Sequence, residues 1–255
     1  MTSPRFICAP FFFVALAACG GPTTTSPAVA TPETLAQEKK RAECHAVVAA
    51  INPNINKLKK AAANKGEDVT DLIKVFDEIK EATQSAAYDL AKLDLTVPEI
   101  QKMAIAYLTL CEEGIAVARE MALALRTTQT ATAVTAGATG SGGEINKKLT
   151  EACAASASDG ENCKALDAAL KKIDFRQDNV SATIDAAGKV TFNNDAVKDA
   201  AASIVASFRT VGKALVDLRA AQARATVAGQ KFTALNKRQG ASIDALNNFC
   251  GSRSR

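Results

Sequence analysis

Tryptophan is absent from the 255 residues, tyrosine occurs twice and histidine once, at His45. Aromatics make up only 5% of the chain, which argues against a large ligand pocket walled by rings. A lone histidine removes metal sites built from several imidazoles and leaves Ser/His or Cys/His catalysis without support. No Cys-x-x-Cys occurs, so neither a thioredoxin-like dithiol nor a zinc ribbon is expected. Cys44-His45 has no second cysteine at the spacing of c-type haem attachment. Gly140–Gly143 follows no apolar strand and lacks the lysine and hydroxyl of a phosphate loop. The adjacent acids Asp77-Glu78 and Glu112-Glu113 point in different directions on a helix, so they read as solvated faces rather than a carboxylate dyad. The expectation is therefore no catalytic residue, no metal site, no cofactor and no enzyme.

Two further absences bound the setting. The formal net charge of +4 is too mild for a nucleic-acid footprint, so no nucleic-acid partner is expected. No segment after the first twenty residues is a candidate membrane span, since the most apolar one, Ile100 to Leu125, carries Glu112, Glu113, Arg119 and Glu120.

What is present at the start is an apolar run, Ile7 to Ala18, interrupted by Pro10 and preceded by Arg5. It has the length of a signal h-region and is too short to cross ~30 Å of hydrocarbon. It ends in Leu16-Ala17-Ala18-Cys19-Gly20, which resembles the bacterial lipobox. The resemblance implies that residues 1–18 are a signal peptide, removed by cleavage, and that Cys19 carries diacylglyceryl and acyl chains such as palmitate. Two or more chains anchor a protein stably where one does not. In lipoproteins of Gram-negative bacteria an Asp after the cysteine retains the protein at the inner membrane. Gly20 stands there instead, which implies the outer membrane. Residues 19–31 form an uncharged tether rich in Pro, Thr, Ser and Gly.

From Pro32 onward the chain is dominated by helical periodicity. Hydrophobic residues are 47% of the composition, with many alanines and few rings, which favours packed helices. Cys44, Val48, Ile51, Ile55, Leu58 and Ala62 step by 4, 3, 4, 3 and 4, predicting one helix from about Pro32 to Asn64, kinked at Pro53 and stopped at Lys65-Gly66. Val69, Leu72, Phe76, Ile79, Thr83, Ala86, Leu90 and Leu93 continue the 3,4 spacing. After Thr96-Val97-Pro98-Glu99, which fits a capping box, the stripe restarts at Ile100, Met103, Tyr107, Leu110, Gly114, Val117, Met121 and Ala124. The short turn between makes these two an antiparallel hairpin. Asn194 is a good N-cap for a long segment beginning with Val197, Ala201, Ile204, Phe208, Val211, Leu215 and Leu218. An all-α, up-and-down bundle of three to four long helices over residues 32–255 follows.

Residues 127–193 read as a linker and insertion. Thr127–Gly143 is an uncharged Thr/Ala/Gly stretch, Glu144–Asp174 suggests two short helices around Ser156–Asn162, and Ser181–Phe192 alternates like a small β-hairpin around Gly188.

Charge is uneven. Glu67–Glu99 holds nine acids against three lysines, and Asp195–Arg255 holds ten bases against four acids. Either acidic and basic helices face one another, or the basic end approaches an anionic surface. Five cysteines remain beyond Cys8 and Cys19, so at least one is free. An exported chain favours disulfides. Cys153 and Cys163 flank a short loop and suit a local bridge. Cys44 and Cys250 share a pole in an up-and-down bundle. Cys44–Cys111 competes, although the two levels differ by ~10 Å along the helices, against a ~7 Å limit between Cα atoms.

The Cys44 helix, Leu93-Asp94-Leu95 with Pro98-Glu99, Tyr107, and the closing Leu246-Asn247-Asn248-Phe249-Cys250 are similar to uncharacterised helical-bundle envelope lipoproteins of myxobacteria-like species. That resemblance implies a helical envelope protein and transfers no active site. The expected function is a structural or adaptor role in the cell envelope, held to the membrane through Cys19 and engaging a protein partner. The alternative is a bundle that binds or senses a small apolar molecule, with Gly114 and the core alanines leaving room for it.

Overall fold

A computed structural model of the chain describes residues 32–63, 68–177 and 179–251. The expected signal peptide, the expected tether with Cys19, and the expected Lys65-Gly66 stop lie outside the described residues. Helix accounts for 89% of those described, and there is no strand among them. The helices are α1 (Pro32–Ala63), α2 (Val69–Ala91), α3 (Pro98–Ala155), α4 (Gly160–Leu170), α5 (Val180–Ala187) and α6 (Asp195–Gly251), with one 3-10 turn at Ala157–Asp159.

The described residues divide into two compact units, 32–123 with 224–251, and 124–223, so the boundaries fall inside α3 and α6. The first unit is a four-helix bundle whose core includes two layers. One layer gathers Val47, Ile51 and Ile55 of α1, Leu90 of α2, Ile100, Tyr107 and Cys111 of α3, and Ile243 and Leu246 of α6. The other gathers Leu58 and Ala61, Val75 and Ile79, and Ala118, with Phe76 and Phe232 packed against it. The order in which each helix meets the two layers sets its direction. α1 and α3 run from the first layer to the second, and α2 and α6 run back, which is up-and-down topology. α1 is one helix with Pro53 inside it.

The 3,4 stripes mark these faces with local departures. On α2 the buried set is Ile73, Val75, Ile79, Ala82, Thr83, Ala86 and Leu90, so Leu72 and Phe76 give way to Ile73 and Val75 at the helix start. Neighbours in the core on more than one side demand a face wider than a two-residue seam. Ala104 and Cys111 replace Met103 and Leu110 on α3 for the same reason.

The second unit packs α4, α5 and the adjacent parts of α3 and α6 around Leu149, Leu166, Val180, Ile184, Ala201, Ile204 and Val205. Here two expectations are corrected. Thr127–Gly143 is not a linker but part of α3. Ser181–Phe192 is not a β-hairpin: Val180, Ile184 and Ala187 are buried on one face of α5. The spacings of four and three fit a helix, whereas strand alternation would have put Ala187 on the face opposite Val180 and Ile184. α5 lies close on α6, where a Cβ at Gly212 would come within 3.1 Å of Ile184 Cδ1. The break around Ser156 appears where the spacing puts it, between α3 and α4.

Candidate functional site

Each unit contains a buried carboxylate that holds the start of a long helix. Glu43, on α1, is 8% exposed. Its Oε1 accepts from the Thr96 N–H at 2.9 Å and the Thr96 hydroxyl at 2.5 Å, and its Oε2 accepts from the Val97 N–H at 2.9 Å. These donors stand at the entrance to α3, where backbone N–H groups have no helical partner. The expected capping box is therefore replaced. The Thr96 N–H that Glu99 was expected to satisfy goes to Glu43, more than fifty residues away in sequence. Burial pushes the Glu43 carboxyl upward, but the Thr96 hydroxyl, the Val97 and Thr96 N–H groups and the charge of Lys39 outweigh it, and the group sits below its ordinary value.

Asp159 repeats the device in the second unit. It is fully buried. Its Oδ1 accepts from the Asn193 N–H at 2.8 Å, and its Oδ2 accepts from the Asn194 N–H at 2.9 Å and the Ser156 hydroxyl at 3.0 Å. The Asn193 N–H, followed by Asn194, Ser156 and Asn162, holds its carboxyl below the ordinary range against the upward push of burial. Asn194 then caps α6 as expected, accepting from the Ala196 N–H at 2.9 Å and the Val197 N–H at 3.3 Å. Neither carboxylate is exposed to a substrate, and both have their oxygens engaged by the fold.

The cysteines resolve into two bridges and one thiol. Cys44 is bonded to Cys250 and Cys153 to Cys163, with Cα separations of 5.8 and 6.1 Å. Cys111 is free and buried. Burial, with a smaller contribution from the Glu112 charge, pushes its thiol up to about 12. It is therefore a core thiol and not a nucleophile. Tyr107, raised mainly by burial, accepts a hydrogen bond from the Gln239 side chain at 3.1 Å and is a second satisfied core group. At the same pole Lys40 lies 4.0 Å above the Phe249 ring.

His45 is exposed on α1 beside the Cys44 bridge. Among the described residues no group of three or more His, Cys, Asp or Glu could hold a metal ion. Glu113 does not act with Glu112 but pairs with Arg238 of α6 at 2.5 and 3.0 Å, and Glu120 pairs with Lys231 at 3.2 Å. The basic end of the chain thus meets acids on α3 in these two pairs, rather than the acid-rich α2.

Space for a small molecule is uneven. Beside Gly114 the core leaves about 30 Å³, lined by Leu58, Thr83, Phe232 and Gln239, which suits a water or two and nothing larger. The second unit carries a groove of about 470 Å³ between α3 and α6. Ala131, Val134 and Ala214 form its apolar surface, and Arg126, Lys213 and Asp217 its charged margin, with threonines between them. Nothing in the spacing of these residues marked the groove in the sequence, because it is formed by two turns of α3 meeting two turns of α6. No helix of the described residues is long and apolar enough to cross a membrane. No family model matches the chain, and neither a curated protein nor a solved structure matches it.

Proposed function

We propose that this is a lipid-anchored protein of the bacterial cell envelope, tethered to the outer membrane through Cys19, with its helical part serving as a structural or adaptor module and no catalysis. The observation that carries the reading is the pair of disulfides. Bridges of this kind persist in oxidising compartments outside the cytosol, which is where a lipobox signal delivers a chain. The Cys44–Cys250 bridge ties α1, the helix nearest the tether, to the end of α6. A pull on the anchor would thus reach the bundle at a covalently closed pole. The buried carboxylates, the high-pKa thiol and the paired glutamates serve the fold, which agrees with a surface that works by contact rather than by chemistry.

The test is metabolic labelling with a palmitate analogue. The natural chain should take up label and pellet with outer membranes, and Cys19→Ser should do neither. Label retained by Cys19→Ser would refute the anchor. Crosslinking in intact cells followed by pull-down should then recover a defined protein partner.

The groove of about 470 Å³ favours a second reading, a periplasmic bundle that binds a small molecule. Two cations against one acid over an apolar surface suit an amphiphile with a carboxylate or similar head. Native mass spectrometry of the purified protein would show a copurified mass, lost in Lys213→Glu.

A further inference from the structure

One stretch of α3 has few of the ordinary sources of helix stability. Between the buried residues Ala131 and Leu149, positions 132–148 contain no fully buried side chain, and only Ile145, near the end, packs partly against the core around Leu149. Gly137, Gly140, Gly142 and Gly143 fall within seven residues of one another, and a Cβ added at any of them would meet nothing within 4 Å. No close approach and no positive φ therefore calls for glycine there. Each glycine still carries its full entropic cost in a helix interior. Thr135, Thr139 and Ser141 turn their hydroxyls back onto the carbonyls of Ala131, Thr135 and Gly137, an arrangement that weakens and bends helices. There is no charged residue between Arg126 and Glu144, so stabilising ion pairs at i,i+4 spacing begin only with Glu144–Lys148 and Lys147–Glu151. α6 contrasts with this. Its glycines are isolated, and buried residues such as Ala221, Ala225, Ala228 and Leu235 recur along it.

We infer that residues 132–148 are a built-in weak link, a helical segment that opens locally while the cores on either side stay folded, and that the Cys44–Cys250 bridge makes a cut there non-dissociating. The covalent topology gives the second half of the statement. A break anywhere in 132–148 leaves Cys44 on one piece and Cys250 on the other, joined by their disulfide, while Cys153–Cys163 lies wholly on the C-terminal piece. Hydrolysis of one peptide bond in this segment therefore consumes one water and opens the polypeptide, yet leaves one covalent molecule. A protein held at a membrane through its N-terminal piece would keep its C-terminal piece after such a nick. The segment is then a place where an envelope protease can relax α3 without shedding half of the protein.

Limited digestion of the purified full chain with elastase tests this, since Ala and Gly fill the segment. Within the described helices the first cut should fall in 132–148. The nicked protein should run as one species without reductant and as two pieces with dithiothreitol. Hydrogen exchange should be at least about a hundredfold faster in peptides covering 132–148 than in those covering 100–123. The variant G137A/G140A/G142A/G143A adds methyl groups into open space, so its folding is not at risk. Each change should slow opening about two- to fivefold, and the four together should slow cleavage at least about tenfold. A first helical cut elsewhere, exchange in 132–148 as slow as in 100–123, or an alanine variant cut at the natural rate would each overturn the inference.

Discussion

The two compact units solve one problem with the same part and different surroundings. In each, a buried carboxylate from a distant turn takes the backbone N–H groups ahead of a long helix: Glu43 ahead of α3, Asp159 ahead of α6. Around Glu43 stand two core layers with large aliphatic side chains from four helices and a disulfide that closes 206 residues of chain. Around Asp159 stand a core cluster built with shorter helices, a disulfide that closes 10 residues, and a span of α3 with no fully buried side chain. The difference teaches that capping fixes where a helix begins, whereas packing decides how firmly the rest of it holds. α3 begins under Glu43 with a buried face and continues through 132–148 without one.

The largest expected effect separates the two disulfides. Replacing Cys44 and Cys250 by Ser should lower stability by about 5 kcal/mol, against about 3 kcal/mol for Cys153 and Cys163, because the longer loop loses more entropy when closed in the unfolded chain. Urea unfolding followed by helical circular dichroism measures both. Equal losses would remove loop length as the explanation.

Next comes the carboxylate pair. Glu43→Ala leaves the part-buried Thr96 and Val97 N–H groups without their carboxylate acceptor and should cost about 2 kcal/mol. Hydrogen exchange should rise in 92–111 and stay unchanged in 193–205, and Asp159→Ala should do the reverse. A variant that loosens both regions equally would break the division into two units. Both carboxylates sit below their ordinary values of 4.5 and 3.8 in the folded protein. Their stabilisation is therefore complete above those values and is lost as pH falls through the lower folded ones. The melting temperature should stay level down to about pH 5 and then fall, and Glu43→Gln with Asp159→Asn should flatten that fall.

A smaller effect is expected at Cys111. Cys111→Ala should cost only about 1 kcal/mol, and the native thiol should resist alkylation until the protein is unfolded. The smallest is Arg238→Ala. Its partner Glu113 is exposed, as is Arg238 itself, so the midpoint should not move beyond replicate scatter.

Much of the first unit was legible because its helices carry long 3,4 stripes, which leave little choice of face. Cys250 and Cys44 could be brought to one pole from helix directions alone. The β-hairpin expected at Ser181–Phe192 failed for a local reason: the eight residues of α5 offer too few periods to separate alternation from a helical face, and burial against α6 accompanies the helical one. The Thr/Ala/Gly stretch read as a linker failed for a related one. Its composition disfavours helix, but it sits between two stretches already helical, and extending a helix is easier than starting one.

By itself, the sequence determined the all-α class, the up-and-down order of the long helices, the break near Ser156 and the cap at Asn194. Each of these rests on spacing or side-chain chemistry within a few turns. Only the tertiary structure decided that Glu43 and Asp159 hold helix starts, that Glu113 and Glu120 are the acids that meet Arg238 and Lys231, and that the roomy groove lies in the second unit instead of beside Gly114. Those contacts join residues 30 to 130 positions apart. No local pattern encodes such a meeting, because the partner is chosen by how whole helices pack.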